Sequence, residues 1–460
     1  MANVTVLGAG GATVTIALSS QANADAAQLA VKQINTNTLA GIVDTQVWSG
    51  KGTLPAPQNF LGGAIVGGTT DGPAGNVGAL QPQYASLMVN ATGNSTVIGP
   101  QNFNSTVVAG DSSNLTYGNV SQNGRIFFGD GTDVLLNFAG SASVTAGKGI
   151  YIAITDKAAK TTLNPGSGAL VLTSDLGGTS GATTINAPVG GNVTVAAAGA
   201  STTATTINAT SGNLFALSVD KGSALINPGA ANVTVVGGLS STGGPTGADY
   251  GGRVTLFGGS GSAVIADGQG EFTGGTAGNN TMFSSTVAGS ATLTGGGNND
   301  LLVAQGSGQL LIAGAGNETL FGRSANGDGA NTFIVGNGFT TVFGGGQGGN
   351  TYIFSGLGAA EVDGRNEAAA GTASQNTYFN FDVDGNDSTG GTFFISDFQT
   401  GKDVLQISKD DSATVTFFTP GQSGSPMGSI GGTQVKVSSG ATYNFFDSKQ
   451  DIFSSDIQKV

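Results

Sequence analysis

Residues 294–303 read Thr-Gly-Gly-Gly-Asn-Asn-Asp-Leu-Leu-Val, a glycine-rich turn followed by one polar residue and a short apolar run. Altered copies of this phrase recur through residues 274–354. They read Gly-Asn-Asn-Thr-Met-Phe at 278–283, Ala-Gly-Asn-Glu-Thr-Leu-Phe-Gly at 315–322, Asp-Gly-Ala-Asn-Thr-Phe-Ile-Val at 328–335 and Gly-Gly-Gln-Gly-Gly-Asn-Thr-Tyr-Ile-Phe at 345–354. The polar markers of these copies are Asn280, Asp300, Glu318, Asn331 and Asn350. Three of their four steps are close to the length of one coil of a β-roll, and the step from Glu318 to Asn331 is shorter.

Phrases of similar length also return upstream of this stretch. Thr-Thr-Ile-Asn at 183–186 comes back at 205–208, and Asn-Val-Thr-Val at 192–195 comes back at 232–235, two such periods later. Repeats of about 20 residues with Val, Ile and Thr in their strands are typical of solenoids, in which each repeat buries its apolar face on the next. We therefore predict an all-β chain whose middle is a parallel β-solenoid or β-roll.

The phrases match a known repeat in part. A nonapeptide of the form G-G-x-G-x-D-x-U-x builds half a coil of a parallel β-roll, so two of them make a coil of about 18 residues. Residues 295–303 keep the glycine pair, the Asp and the aliphatic U position, but Asn298 replaces the fourth-position glycine. The phrases resemble degenerate repeats of the repeats-in-toxin (RTX) family, and they cover about a fifth of the chain.

The resemblance implies that the chain binds Ca²⁺ as a cofactor. Calcium takes several hard oxygen ligands, which in a β-roll come from the carbonyl groups of the glycine turns and from the marker side chains. We interpret the glycines as residues that supply positive φ in these turns. The ligands that the resemblance implies are Asp300, Glu318, Asp328, Asn298 and Asn350.

A second acidic stretch lies at residues 379–387, Phe-Asn-Phe-Asp-Val-Asp-Gly-Asn-Asp. It resembles an acidic calcium loop and adds Asp382, Asp384 and Asp387 to the candidate ligands. An alternative without metal stays open for the Asn-bearing coils. In that alternative Asn298, Asn299, Asn331 and Asn350 form side-chain ladders and turn hydrogen bonds.

The two ends of the chain differ from its middle. Residues 3–18 alternate like two strands around a glycine turn, and residues 21–35 have apolar residues at helical spacing, which predicts a core-packing or capping helix. Residues 393–407 look like the capping segment after an RTX β-roll, and residues 445–460 are similar to uncleaved type I secretion signals. We predict three regions: a strand–helix and loop-rich region at 1–90, the solenoid at 91–380, and a C-terminal β cap with the secretion signal at 381–460.

Composition excludes several classes of function. The net charge of −13 and the low cation content argue against nucleic-acid binding. The chain has no Cys and no His, which excludes disulfides and makes a structural zinc site very unfavourable. The first cation is Lys32 and no apolar run approaches the length of a membrane-spanning helix, so we expect neither an N-terminal signal peptide nor a membrane span. Together with the RTX-like C-terminus, this predicts an extracellular or cell-surface location reached by type I secretion.

Catalysis finds little support in the sequence. Without His or Cys, a hydrolase would need paired carboxylates or a Ser–Lys arrangement. The cations Lys148, Lys157, Lys160, Arg253 and Arg323 are scattered singly along the chain. An acidic turn at residues 129–135 is interpreted as structural. We predict that the chain is not an enzyme.

Three functions remain open. The first is a secreted structural protein that assembles with itself, assisted by calcium, into a surface layer or biofilm matrix filament. The second is a cell-surface adhesin or carbohydrate-binding module, which should show an exposed aromatic cluster for a surface polysaccharide. The third is a β-helical polysaccharide-degrading enzyme, which needs clustered carboxylates in a groove.

We favour self-assembly because a solenoid has open ends with unpaired strand edges. The uncharged strands of residues 3–18 could then add to the sheet of a neighbouring copy. In the alternative, the N-terminal helix and the C-terminal segment cap the two ends and leave a monomer.

Overall fold

The computed structural model shows two compact units, and both are parallel β-solenoids. The first unit comprises Met1–Asn232, Leu239–Gly244 and Asp249–Gly252, and the second comprises Val233–Gly238, Pro245–Ala248 and Arg253–Val460. The division falls inside the region 91–380 that the sequence predicts as one solenoid. The structure describes residues 2–8, 11, 13–48, 63–67, 77–79, 86–90, 93–99, 104–156, 158–174, 181–199, 203–220, 222–239, 252–289, 291–322, 330–345, 349–355, 357–364, 375–380, 390–396, 398–446, 452 and 454–460.

The solenoid of the first unit consists of two parallel sheets. Sheet I contains Val77–Ala79, Gly93–Ile98, Ser113–Asn119, Thr132–Asn137, Ile150–Thr155, Ala169–Ser174, Asn192–Gly199 and Asn213–Asp220. Sheet II contains Asn104–Val108, Asn123–Phe127, Gly140–Thr145, Ala159–Asn164, Ala182–Asn186, Thr205–Asn208 and Ala224–Asn227. From residue 93 onward the chain alternates between the sheets, so each strand pairs in parallel with the strand one coil away. The predicted parallel β-solenoid is confirmed.

The repeated phrases of the first unit are neighbours in space. The two Thr-Thr-Ile-Asn copies lie in adjacent strands, with Thr184 opposite Thr206 and Ile185 opposite Ile207. Both Ile side chains are fully buried, while the flanking Thr and Asn side chains face outward. Side chains alternate between the two faces of a strand, so this pattern buries one branched residue in every coil.

An N-terminal hairpin and the single α-helix precede the first solenoid. Strands Ala2–Leu7 and Thr13–Leu18 pair antiparallel, and the helix spans Gln21–Leu39. The helix begins after the N-cap residue Ser20, whose hydroxyl accepts a hydrogen bond from the N–H of Asn23. It runs beyond the predicted end at residue 35, and in this last part the hydroxyls of Thr36 and Thr38 donate to helix carbonyls one turn earlier.

The hairpin and the helix pack on the first solenoid as a small module. Their apolar side chains, among them Val4, Ile16 and Val31, share one buried cluster with Val108 and Phe127 of sheet II. The prediction of a core-packing helix is therefore confirmed. A three-stranded parallel sheet follows the helix and contains Thr45–Trp48, Gly63–Gly67 and Ser86–Asn90.

The second unit is built in the same way. Sheet III contains Asn232–Leu239, Ala263–Gly268, Thr281–Ser284, Asp300–Ala304, Glu318–Gly322, Phe339–Phe343, Ala359–Asp363, Thr392–Ile395, Thr442–Phe445, Gly432–Val437 and Ala413–Phe418, in their spatial order. Sheet IV contains Val254–Leu256, Gly270–Thr273, Ala291–Thr294, Leu310–Ile312, Thr332–Val335, Thr351–Phe354, Thr377–Phe379, Val404–Ile407 and Ile457–Lys459. The last three strands of sheet III are antiparallel, which confirms the predicted C-terminal β cap.

The last residues of the chain are folded into this cap. A 3₁₀ turn at Ser454–Asp456 leads into Ile457–Lys459, which pairs with Val404–Ile407. The carboxyl group of Asp456 accepts a hydrogen bond of 2.8 Å from the N–H of Gly401. The end of the predicted secretion signal is thus the last strand of sheet IV.

Aromatic side chains fill the interior of the second unit. The rings of Phe333, Tyr352 and Tyr378 stack in consecutive coils, with centroid separations of 5.3 and 4.8 Å. Tyr352 reaches the turn at Gly344, where a Cβ would overlap its hydroxyl. Position 344 therefore requires glycine, because the Tyr352 hydroxyl leaves no room for a Cβ.

Candidate functional site

The first three polar markers, Asn280, Asp300 and Glu318, form a ladder inside sheet III. Asp300 lies directly opposite Glu318, and both are the first residues of their strands. They keep 1% and 3% of their surface exposed, and Asn280 is fully buried. The markers therefore point into the solenoid, where every polar atom needs a partner from the protein.

The carboxyl group of Asp300 accepts four hydrogen bonds. One oxygen receives the backbone N–H and the side-chain amide of Asn280, at 2.8 and 2.9 Å. The other receives the N–H groups of Gly296 and Gly297, at 2.7 and 3.2 Å. Asp300 thus ties its own glycine turn to the preceding coil.

Glu318 is less well satisfied than Asp300. Its Oε2 accepts a hydrogen bond of 2.6 Å from the N–H of Gly314, but its buried Oε1 has no hydrogen-bond partner among the described atoms. Burial raises the pKa of the Glu318 carboxyl to about 7, the Gly314 N–H opposes this shift, and the neighbouring Asp300 adds to it. The carboxyl is packed closely against Gly295 and Gly314, where a Cβ would collide with its oxygens.

A second ladder follows the strands of sheet IV. In it, each side-chain oxygen accepts the backbone N–H of the equivalent residue one coil earlier. The bonds run from Gln309 N to Asn331, from Asn331 N to Asn350, from Asn350 N to Asn376 and from Asn376 N to Asp403, at 2.9, 2.9, 3.0 and 2.8 Å. The ladder alternative for Asn331 and Asn350 is confirmed, because both side chains cap the turn of the neighbouring coil.

The two ladders explain the irregular step between the markers. Asn280, Asp300 and Glu318 belong to sheet III, whereas Asn331 and Asn350 belong to sheet IV. The short step from Glu318 to Asn331 is therefore the distance along the chain from one sheet to the other. Sequence spacing alone does not separate two interleaved ladders from one irregular repeat.

Of the candidate calcium ligands that the structure describes, only Asp300 and Glu318 are neighbours. Asn298 is exposed and its Oδ1 accepts the N–H of Asn317, while Asn350 lies in the other ladder from Asp300 and Glu318. Asp328, Asp382, Asp384 and Asp387 lie outside the described residues. Within the described ranges, no three acidic side chains form a group that could hold a metal ion.

The donor set around Asp300 does not fit a calcium ion. Calcium needs several oxygens around it, but the groups facing Asp300 are N–H donors. Calcium binding by the chain therefore stays a prediction.

The expectation that glycines supply positive φ in these turns is confirmed at Gly278, Gly345 and Gly349, but not in the turn before Asp300. Gly295, Gly296 and Gly297 are not among the glycines with positive φ, whereas Asn279 and Asn299 have φ of 56° and 61°. The residue before the marker takes the left-handed conformation, which Asn tolerates better than most residues. The glycines of this turn are needed because the backbones of neighbouring coils approach each other closely. A Cβ at Gly296 would overlap the carbonyl of Gly274.

The first unit contains a buried polar network that the sequence analysis missed. Asn119 donates to Asn137, and Asn137 donates to Thr161, at 2.8 and 3.0 Å. The hydroxyl of Thr155 continues the network to Thr161 and Thr183. The available signal was the placing of Asn119, Asn137 and Thr155 at the ends of consecutive strands of sheet I, one coil apart.

Asp133, from the acidic turn at 129–135, repeats the arrangement of Glu318. Its Oδ1 accepts the N–H of Leu115 at 2.8 Å, and its buried Oδ2 has no partner among the described atoms. Burial raises the pKa of this carboxyl to about 7. The residue joins neighbouring coils, as the structural interpretation of the turn predicts.

A further ladder runs along the outer face of sheet II. The amides of Asn164, Asn186, Asn208 and Asn227 are linked by hydrogen bonds of 2.9, 2.9 and 2.8 Å. Each bond joins equivalent residues of adjacent coils, as in stacked Asn ladders of other parallel sheets. These residues stabilise the coil stack and are only half-buried.

Comparisons with known proteins assign no family. No family model matches the chain, and neither a curated protein nor a solved structure is significantly similar to it. Among the residues that the structure covers, no helix is long and apolar enough to cross a membrane.

Proposed function

We propose that the chain is a structural protein that assembles with copies of itself, outside the cell, into a surface layer or matrix filament. The observation that carries this proposal is the edge strand Ala413–Phe418. It pairs with Gly432–Val437 along one side and is the last strand of sheet III among the described residues. Its sequence, Ala-Thr-Val-Thr-Phe-Phe, has no charge.

This strand has the properties of a docking edge. None of its six side chains is fully buried, and Phe417 keeps 50% of its surface exposed. Short uncharged segments rich in β-branched and aromatic residues are the ones that pair readily with another chain. Natural edge strands usually prevent such pairing with another chain by charged residues, Pro or a covering element.

Two other edges among the described strands are protected. The last strand of sheet IV is short and carries Lys459. At the N-terminal hairpin, Gln28 and Asn35 of the helix bond to the outward backbone groups of Thr5 and Leu7. These backbone groups are therefore not available for the pairing with a neighbouring copy that the sequence predicts for residues 3–18. We propose Ala413–Phe418 as the pairing edge instead.

Only the sequence supports the parts of the proposal that concern export and calcium. The RTX-like phrases and the C-terminal segment support type I secretion and calcium-assisted assembly. Asp328, Asp382, Asp384 and Asp387 lie outside the described residues and stay calcium candidates on the sequence alone.

The proposal is tested with a charge at the edge strand. We expect wild-type protein to form filaments or sheets by negative-stain microscopy, and Thr416→Lys to form smaller species by analytical ultracentrifugation. Thr416 is exposed, so the substitution costs little packing. Ser143→Lys, on an exposed strand position of sheet II that has neighbours on both sides, is the matched control.

The controls for calcium are added calcium and added chelator in each experiment. A wild-type protein that stays monomeric at high concentration with calcium would reject self-assembly. Equal assembly of Thr416→Lys and wild type would reject the edge strand as the contact.

A second function, an adhesin for a surface polysaccharide, is favoured by one observation. Phe321 and Phe343 lie side by side on the outer face of sheet III with ring centroids 5.5 Å apart, and Phe339 and Phe343 are 45% and 36% exposed. Exposed rings of this kind can stack on sugars. If this function applies, Phe343→Ala will weaken retention in polysaccharide-containing gels, whereas Phe417→Ala will not.

A further inference from the structure

Asparagine followed by glycine is the dipeptide in which a side-chain amide reacts most readily with its own backbone, because glycine leaves the following nitrogen unhindered. The chain contains three such pairs, Asn123–Gly124, Asn326–Gly327 and Asn337–Gly338. The structure describes the first and the third and places them in different surroundings. Their surroundings decide which of the two can react in the folded protein.

Asn337 lies in the turn between Thr332–Val335 of sheet IV and Phe339–Phe343 of sheet III. Its side chain is exposed, and its Oδ1 accepts a hydrogen bond of 3.1 Å from the N–H of Leu357 in the next coil. A donor at this position polarises the carbonyl group and stabilises negative charge that develops on its oxygen. The side-chain carbonyl carbon of Asn337 is therefore more open to attack by a nucleophile.

Gly338 carries the nitrogen that can attack. It lies between the two strands, and its N–H donates no hydrogen bond to an atom of the described residues. Without a Cβ, the residue does not hinder the approach of its nitrogen to the preceding side chain. The nitrogen and the carbonyl carbon close a five-membered ring, so the reaction has the advantage of an intramolecular step.

Packing between coils explains why these two residues occur together. Asn337 provides the acceptor for the N–H of Leu357, and a Cβ at Gly338 would overlap the carbonyl oxygen of Gly316 in the preceding coil. The close contact requires glycine at position 338, and the amide at position 337 joins the turn to the next coil. The reactive pair is thus a consequence of two structural requirements.

Asn123 also precedes a glycine, but it lies in a strand. Asn123 and Gly124 belong to Asn123–Phe127, which pairs in parallel with Asn104–Val108 on one side and Gly140–Thr145 on the other. This pairing holds the main chain extended. The nitrogen of Gly124 therefore cannot turn toward the Asn123 side chain while the strand remains paired.

Asn298 has the same kind of hydrogen bond as Asn337, but no glycine follows it. It is exposed, and its Oδ1 accepts the N–H of Asn317 in the next coil at 3.2 Å. The next residue is Asn299, whose Cβ hinders the approach of its nitrogen. Asn123 and Asn298 are therefore two controls within the same molecule, each lacking one part of the arrangement at Asn337.

We propose that Asn337 is a site of spontaneous deamidation in the folded protein. The nitrogen of Gly338 forms a bond to the side-chain carbonyl carbon of Asn337, and the bond from that carbon to Nδ2 breaks. The proton of the Gly338 nitrogen leaves with Nδ2 as ammonia. Water then opens the cyclic imide at either of its two carbonyl groups, which gives aspartate or isoaspartate, and no electrons are transferred.

The isoaspartate product changes the turn, because it places one more carbon atom in the main chain between residues 337 and 338. The turn has little room for this atom. The carbonyl of Gly338 accepts the N–H of Ala359 at 3.0 Å, and a Cβ at Gly358 would overlap the carbonyl oxygens of Gly336 and Gly338. We therefore expect conversion to loosen the contact with the strand Ala359–Asp363 of the next coil.

Peptide mapping by mass spectrometry tests the proposal on the full-length protein. One sample is incubated at pH 8 in the folded state and another is unfolded in guanidinium chloride, and the loss of each amide is followed with time. In the folded protein we expect Asn337 to convert at least about 10-fold faster than Asn123 or Asn298, a barrier difference of about 1.4 kcal/mol. In the unfolded protein, Asn123 and Asn337 should convert at similar rates, because both precede glycine.

Two variants test the consequence for the turn. Asn337→Gln keeps an amide, but its ring would have six members, so conversion at this position should stop on the same timescale. Asn337→Asp carries the new charge without the additional main-chain carbon. Hydrogen exchange of Ala359–Asp363 should accelerate in aged wild type, but not in aged Asn337→Gln or in freshly purified Asn337→Asp.

The outcomes are distinguishable. Equal conversion of Asn123 and Asn337 in the folded protein would overturn the proposal. It would also be overturned if Asn337 persisted in the folded protein while it converted in the unfolded chain. Conversion of Asn337 with unchanged hydrogen exchange in Ala359–Asp363 would support the modification site and overturn the expected loosening of the coil contact.

Discussion

Asp300 and Glu318 lie opposite each other on adjacent strands, but their surroundings differ. Four N–H groups point at Asp300, while one oxygen of Glu318 has no hydrogen-bond partner among the described atoms. We therefore expect neutralisation of the two carboxyl groups to change stability in opposite directions at neutral pH. If both carboxyl groups instead bound calcium, neutralising either one would lower the stability of the calcium-loaded protein.

Asp300→Asn is expected to destabilise the second unit. The new NH₂ group replaces an acceptor that receives two N–H groups, so two buried donors lose their partner. Each buried unsatisfied donor costs about 1–3 kcal/mol, which gives a loss of roughly 2–6 kcal/mol. Urea unfolding at pH 8 measures the change, and an unaltered midpoint would contradict the hydrogen-bond geometry.

Glu318→Gln is expected to stabilise the protein at pH 8. The pKa of Glu318 rises from 4.5 to about 7 on folding, so the folded state binds the proton more tightly than the unfolded state. The stability that this proton contributes is fully present below about pH 4.5 and is lost as the pH rises through 7. At pH 8 the gain from Gln is at most about 3 kcal/mol, since one pKa unit corresponds to ~1.4 kcal/mol.

The pH dependence provides the control for Glu318→Gln. The wild type should be more stable at pH 5 than at pH 8, and the difference should shrink in the variant. Asp133→Asn should act in the same direction in the first unit, because its carboxyl also has a pKa of about 7 when folded. If stability rises from pH 5 to pH 8 in the wild type, the assignment is wrong.

At the scale of elements, the N-terminal helix protects the strand beside it. Gln28 both donates to and accepts from the backbone of Thr5, and Asn35 does so for Thr5 and Leu7. The side-chain amides of these two residues make the backbone hydrogen bonds that a neighbouring strand would otherwise make. This protection explains how an uncharged hairpin strand avoids pairing with a second chain.

We expect Gln28→Ala combined with Asn35→Ala to promote association through the hairpin. Four backbone hydrogen bonds are lost, so stability should fall by about 2–4 kcal/mol and the freed edge should pair with another chain. Light scattering at constant temperature measures the association. Gln33→Ala, which removes only a bond to Asn37 on the same helix, should behave like the wild type.

At the scale of the molecule, stability within each unit is a sum over coils and their contacts with neighbouring coils. Damage to one coil should therefore spread only over short distances. We expect Ile185→Ala, at a fully buried position, to cost about 2–5 kcal/mol locally. Hydrogen exchange should accelerate most in the strands containing Leu163 and Ile207, which flank Ile185.

Hydrogen-exchange mass spectrometry also separates this local loss from a cooperative one. Peptides of the N-terminal hairpin should keep their protection in Ile185→Ala, because they pack on Val108 and Phe127 several coils away. A uniform loss of protection over the whole first unit would contradict nearest-neighbour stability.

The sequence by itself determined the solenoid, because its physical origin is local and periodic. Returning phrases such as Thr-Thr-Ile-Asn at 183–186 and 205–208 alternate buried and exposed side chains at the strand period, and they stack at the predicted spacing. The helix was predictable for the same reason, from apolar residues at helical spacing. Its end was not, because the apolar spacing stops at Ile34 while the helix continues through polar residues to Leu39.

Only the tertiary structure decided what the polar markers do. An Asp, Asn or Glu after a glycine turn has the same sequence signature whether it faces a metal ion or the backbone of the next coil. Asp300 faces N–H groups of its own glycine turn and of Asn280, which the parallel register with the preceding coil places beside it. The division of the markers into two ladders and the protection of the hairpin by Gln28 and Asn35 depend on contacts between residues far apart in the chain, and no local pattern contains that information.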